Sequence, residues 1–95
     1  MKLDEIKHIT VLGSGIMGHG IAQSFLMGGF PVVLYDISEP ILATAGAHIR
    51  KNLELFSNAD LIKETEIKPC LQRLSTTTDL KEAVQAADFI IEAAP

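Results

Sequence analysis

The chain has 95 residues, 47% of them hydrophobic and 21% charged, with 12 acidic side chains against 8 basic ones and a formal charge of −4. Such a composition fits one soluble α/β domain, excludes a disordered chain and, with no basic stripe, argues against nucleic acid or an anionic membrane as partner. One cysteine, Cys70, permits no internal disulfide, no Cys/His cluster suggests a metal, and neither a secretory or transit signal nor a membrane-length apolar run is visible, so the expected location is cytoplasmic.

Ile9-Thr10-Val11-Leu12 reads as a first strand, short and apolar enough to be buried on both faces of a parallel sheet. It runs into Gly13-Ser14-Gly15-Ile16-Met17-Gly18 and then a helix over Ile16 to Met27. Gly20, Ala22 and Ser24 are expected to keep that helix thin against the sheet, and Ile16, Ile21, Phe25 and Leu26 to supply its apolar contacts. Gly28-Gly29 ends it through a left-handed glycine. Pro31 to Tyr35 is the second strand, closing on Asp36.

Strand, glycine loop, helix, strand and acid in this order form a dinucleotide fingerprint in the context it needs. Gly13 allows the tight turn, Gly15 lets the backbone approach a pyrophosphate, and Gly18 lets the helix pack closely. The unpaired N–H groups and positive dipole end of the helix can hold the phosphates, and no Lys or Arg stands between Lys7 and Arg50 to do so instead. Asp36, eighteen residues beyond Gly18, is placed to accept hydrogen bonds from the adenosine ribose. Its carboxylate would repel the 2′-phosphate of NADP, and neither Ile37 nor Ser38 offers a cation, so the expected cofactor is NAD.

Ser38 reads as the N-cap of a long second helix, with Pro40 in its first turn. Ile41, Ala45, Ile49, Leu53 and Phe56 form its apolar stripe, and His48, Arg50, Lys51 and Glu54 its other face. Asn58-Ala59-Asp60 interrupts it, after which Thr65 or a neighbour caps a short helix reaching Arg73, with Pro69 in the first turn. Arg73 to Thr76 is a third strand. Thr78 or Asp79 begins a further helix, Asp79 to Glu82 matching a capping box and Leu80, Ala83, Val84 and Ala87 forming the buried face. Phe89 to Ala94 is the fourth strand. The result is a single Rossmann-type mononucleotide-binding half: a parallel sheet in order 3-2-1-4 with helices on both faces. The fourth strand is expected to expose an apolar edge, Phe89-Ile90-Ile91, that pairs with a second copy in a homo-oligomer.

Several residues invite functional labels but have simpler readings. His8 and His48 are expected to be solvated, and His19 to be structural. Glu92 reads as a strand-end residue bonded to nearby backbone, and Thr76, Thr77 and Thr78 as a turn and helix cap. Cys70 is expected to be a small core residue with no cation beside it, and Met17 to pack on the sheet or cofactor.

Three segments, Gly13 to Gln23, Thr77-Thr78-Asp79-Leu80 and Ala87 to Pro95, resemble the NAD-binding domain of the 3-hydroxyacyl-CoA dehydrogenases, the family that includes the bacterial 3-hydroxybutyryl-CoA dehydrogenases. The resemblance implies that Gly13, Ser14, Gly15, Ile16, Met17 and Gly18 line the pyrophosphate, that Asp36 holds the ribose, and that Ala93 and Ala94 lie beside the cofactor. It also implies an acyl-CoA substrate, with Asn52 at the position where the family uses a Ser toward CoA; the family's nearby Lys falls at Ala59. The family's catalytic His and its supporting residues correspond to segments beyond Pro95, so no catalytic residue is assigned and the 95-residue chain alone is expected to be inactive. Two alternatives stand beside this reading: a stand-alone nucleotide-binding module, and the NAD-binding part of another β-hydroxyacid dehydrogenase.

Overall fold

The computed structural model describes residues 6–85 and 87–93. Its elements run β1 (Ile9–Leu12), α1 (Ile16–Met27), β2 (Val32–Tyr35), α2 (Glu39–Asn58), a 3-10 turn (Glu64–Glu66), α3 (Ile67–Gln72), β3 (Leu74–Thr77), α4 (Leu80–Gln85) and β4 (Phe89–Glu92). The four strands form one parallel sheet in the expected order β3-β2-β1-β4. Ile9 is level with Val32 and Phe89, and Val32 with Leu74.

Strand bounds differ slightly from the expected ones. Pro31 precedes β2 and supplies only its carbonyl, which accepts from the Ile9 N–H. Arg73 likewise precedes β3, its carbonyl accepting from Val32 N–H, so the strand runs one residue later, to Thr77. The described part of β4 ends at Glu92 and Ala93 follows it; Ala94 lies outside the described residues.

Alternate residues of a strand face opposite sides. Ile9 and Val11 of β1, with Val32 and Leu34 of β2, join Leu26 of α1 and Leu42, Ala45, Ile49 and Leu53 of α2 in the core. Each large side chain fully buried there contributes about 1.5–3 kcal/mol. Thr10 faces the other side, where its hydroxyl donates to the Ala83 carbonyl of α4 at 2.6 Å. That bond satisfies a threonine only 1% exposed and places α4 on the face opposite α1 and α2, as right-handed crossovers require. With only six residues, α4 covers this face thinly, and Ile90 on it stays 47% exposed.

The apolar stripe of α2 differs from the expected one at its start. Leu42, not Ile41, packs in the core; Ile41 is exposed. Ile16 of α1 and Leu80 of α4 are exposed in the same way. All three lie in the first turns of their helices. On α1, Gly18 and Ala22 are buried, whereas Gly20 and Ser24 are on the solvent side, the Ser24 hydroxyl bonding back to the Gly20 carbonyl. Ser38 caps α2 by accepting from Ile41 N–H, and Asp79 caps α4 by accepting from Glu82 N–H. The latter is half a capping box, because the Asp79 N–H donates to the Thr77 hydroxyl instead.

Gly29, at φ +93°, provides the left-handed turn after α1. Cys70 is buried as expected, but a cation does stand beside it: the Arg73 guanidinium lies 3.3 Å from its sulfur and donates to the Leu26 carbonyl at 2.5 Å. An arginine at the C-terminal end of α1 satisfies an orphan carbonyl and complements the helix dipole. Its position follows from chain folding between residues 26 and 73, which no local spacing reveals.

At the opposite end of the sheet, Asp88 clamps β4 to β1. Its carboxylate accepts from the Lys7 and His8 N–H groups at 2.9 Å each, and His8 Nδ1 lies 3.5 Å away. His8 is thus a clamp partner as well as a solvated residue. The Lys7 and His8 N–H bonds hold the Asp88 carboxyl below its ordinary value of 3.8. A depressed carboxyl stabilises the fold above the unfolded value and loses that contribution as pH falls through the folded one. Asp88→Asn should therefore lower the urea midpoint at pH 7, and the gap to the parent chain should close as pH falls below 4.

Candidate nucleotide site at the strand ends

The site sits where the C-terminal ends of β1, β2 and β4 meet the start of α1, the position where open α/β sheets take ligands. Gly13 leaves β1 with φ +100°, a conformation that side chains disfavour, and its N–H donates to the Tyr35 carbonyl at 2.7 Å. Gly18 returns so close that an added Cβ would fall 1.7 Å from the Gly13 carbonyl oxygen. The third glycine of the fingerprint thus serves the loop's own backbone as much as the sheet. Gly15 is the opposite case: a Cβ there would meet nothing within 4 Å. Its flank is open to the cavity at the strand ends.

Gly15 is also the N-cap of α1, and neither a capping side chain nor an acidic residue occupies the helix start. The first-turn N–H groups of Ile16 and Met17 are therefore left for an anion. A cavity of about 540 Å³ opens there, lined by Gly13, Gly15, Ile16, Met17, Asp36, Ile41, Glu92 and Ala93. Ile16 and Met17 are 89% and 67% exposed, so their apolar surfaces face the opening and not the core. A larger hollow, about 640 Å³, lies between α2 and α3, but it is walled by charges of both signs, including Arg50, Glu54, Glu64 and Lys68, and borders no strand end.

Asp36 lies beside the loop. Its Oδ2 accepts from the Ser14 N–H at 3.0 Å and the Ser14 hydroxyl at 3.1 Å, and its Oδ1 from the Ser38 N–H at 3.0 Å. The Ser14 N–H lowers the carboxyl pKa most; desolvation opposes it, and the Ser38 N–H and Ser14 hydroxyl add to the lowering. Asp36 is therefore a carboxylate at neutral pH. Both Ser14 donors are engaged by it.

Of the other residues weighed from sequence, Ala93 lines the cavity and its N–H donates to the Leu12 carbonyl at 2.8 Å. Ala94 lies outside the described residues. Glu92 is exposed on the cavity rim, and among the described residues no hydrogen bond to its carboxylate is formed. Asn52 is away from the cavity, half-buried between helices, its amide donating to Gln23 Oε1 at 2.9 Å. His19 and His48 are not isolated: their rings stack with centroids 5.1 Å apart and planes 9° from parallel, beside a smaller cavity of about 280 Å³ on the α2 side of the loop. Ile41 was missed as a cavity residue. Its signal was its place one residue off the Leu42-Ala45-Ile49-Leu53 stripe.

Residues 8–95 match the family model described as 3-hydroxyacyl-CoA dehydrogenase, NAD binding domain. Among similar curated proteins, the mitochondrial hydroxyacyl-coenzyme A dehydrogenase of Rattus norvegicus is 37% identical over 93 residues, covering 93% of this chain and 30% of the relative. The probable 3-hydroxybutyryl-CoA dehydrogenase of Bacillus subtilis is 42% identical over 90 residues, covering 94% and 31%. Among solved structures, the (S)-3-hydroxybutyryl-CoA dehydrogenase of Ralstonia eutropha superposes with a TM-score of 0.91 at 30% identity, over 96% of this chain and 32% of that one. The chain thus spans about a third of the length of the proteins it matches.

The two glycine environments predict opposite variants. Gly18→Ala should destabilise the chain by about 3 kcal/mol or more, since backbone must move to admit the methyl. Gly15→Ala should leave the unfolding free energy within about 0.5 kcal/mol of the parent and yet abolish NADH binding, its methyl standing in the ligand's path. Urea titration and NADH fluorescence on the same samples would separate the two effects.

Proposed function

The chain belongs to the family of 3-hydroxyacyl-CoA dehydrogenase NAD-binding domains, and from that premise we propose that it forms the cofactor-holding part of an oxidoreductase interconverting (3S)-3-hydroxyacyl-CoA and 3-oxoacyl-CoA. The observation that carries the cofactor half is the uncapped start of α1 opening on Gly15, with an ionised Asp36 beside it. In this reading the Ile16 and Met17 N–H groups face the pyrophosphate, Gly13, Gly15 and Gly18 give it room, and Ala93 borders the cofactor from β4. Asp36 accepts from the adenosine ribose, and exposed Ile37 beside it brings no cation for a 2′-phosphate.

The bound cofactor supplies hydride chemistry at its nicotinamide carbon; the protein's task is to bind and orient it. Oxidising the alcohol also requires a base within hydrogen-bond reach of the hydroxyl proton. Among the described residues no imidazole lines the cavity that holds Gly15 and Asp36; His19 and His48 stack on each other beside the smaller neighbouring cavity. The 95-residue chain by itself is therefore proposed to bind NADH without turning over substrate. The acyl-CoA substrate is proposed from the family, as is a role in fatty acid metabolism. Asn52 as a CoA contact would require its amide to leave Gln23. A cytoplasmic location is proposed on the single free thiol, Cys70, which fits a reducing compartment. Among the described residues no helix is long and apolar enough to cross a membrane.

As partner, a second copy is proposed at the β4 edge. Among the described residues β4 pairs only with β1, and Phe89 and Ile90 are 46% and 47% exposed along it. A row of unpaired backbone groups with apolar side chains is a template for strand pairing.

Three measurements test these proposals. The chain should bind NADH more tightly than NADPH, Asp36→Ala should narrow that gap, and acetoacetyl-CoA should not be reduced; equal affinity for the two nucleotides would overturn the assignment. Ile90→Lys should shift sedimentation toward monomer, and a parent chain that is monomeric at tens of micromolar would remove the edge pairing.

A further inference from the structure

Ser14 occupies the second position of the glycine loop, where the expected role of its side chain is to line a pyrophosphate. In the structure its side chain meets Asp36. The residue is 2% exposed, and both its donors converge on one oxygen, Oδ2 of Asp36. A carboxylate oxygen accepts about two hydrogen bonds. Among the described residues Oδ2 therefore takes two donors, whereas Oδ1 takes one hydrogen bond, from the Ser38 N–H, the neighbouring Ile37 N–H adding only the smallest part of the lowered pKa. Of the backbone hydrogen bonds with defined geometry, one falls on each oxygen. The Ser14 hydroxyl makes the two oxygens unequal.

Resting on the NAD-site reading above, we propose that Ser14 is a positioning residue for cofactor selectivity: its hydroxyl anchors Asp36 through Oδ2 so that Oδ1 is the oxygen presented to the adenosine ribose. A carboxylate held this way accepts from a ribose hydroxyl without reorganising, and it cannot turn aside to reduce its repulsion of a 2′-phosphate. Preference for NADH over NADPH then depends on a side chain that touches neither nucleotide. A serine bonded to the pyrophosphate would behave differently, because that moiety is common to both.

Ser14→Ala keeps the backbone N–H and removes only the hydroxyl. Affinities for NADH, NADPH and ADP, measured on the parent and variant chains, should show NADH weakened about fivefold or more, NADPH unchanged or tighter, and ADP weakened with NADH, since it carries the same ribose. The Asp36 carboxyl, followed by carbon-13 NMR against pH, should titrate below the ordinary aspartate range in the parent and move upward in the variant. Equal weakening of NADH and NADPH, with their ratio unchanged, would overturn the proposal and return Ser14 to the pyrophosphate or to loop structure alone. An Asp36 titrating at its ordinary value in the parent overturns it even if the variant fails to fold. A parent chain that binds no NADH would instead overturn the nucleotide-site reading beneath it, whatever the variant does.

Discussion

The approach of Gly18 to the Gly13 carbonyl is the constraint on which the architecture turns. A Cβ at position 18 would sit far inside van der Waals contact distance of that oxygen, so the loop can close only through glycine. Closing it brings α1 back over the end of β1 with its first turn facing the strand ends. The 12-residue helix then needs no charged side chain to favour an anion, because its N-terminal N–H groups and dipole point the right way. A methyl at position 18 would have to displace backbone of the loop.

Asp36 joins the two helix-bearing crossovers at this point. Its carboxylate reaches the glycine loop through Ser14 and the start of α2 through Ser38, and Ser38 in turn caps α2 at Ile41. One side chain thus fixes the relative placement of the β1–α1 turn and the β2–α2 turn. The same bonds that lower its pKa prepare it as an acceptor, so organisation of the fold and of the site is one set of contacts.

The distribution of apolar surface follows from the same geometry. Helices α1 and α2 cover one face of the sheet and leave its core residues nearly inaccessible, while the short α4 reaches the other face mainly through Ala83 and the Thr10 bond. Apolar residues in the first turns of α1 and α2 stay outside this core. Ile16, Met17 and Ile41 line the cavity at the strand ends with their side chains exposed.

The sequence alone determined the order of elements, the strand pairing and the chemistry of the loop, because these rest on local rules. Gly13 needs a positive φ, Ser38 and Pro40 announce a helix start, and the dinucleotide fingerprint selects the order 3-2-1-4 among those that right-handed crossovers allow. The positions of Gly15, Gly18 and Asp36 were legible for the same reason: their spacing encodes a turn, a helix and a strand end. Only the tertiary structure decided which side chains share a space. Helical spacing admits both Ile41 and Leu42 on one face, and the reach of the sheet chose Leu42. Arg73 beside Cys70, His19 on His48, Asn52 on Gln23 and both Ser14 donors on Asp36 join residues 3 to 29 positions apart in sequence, through rotamers set by packing that a linear pattern does not contain.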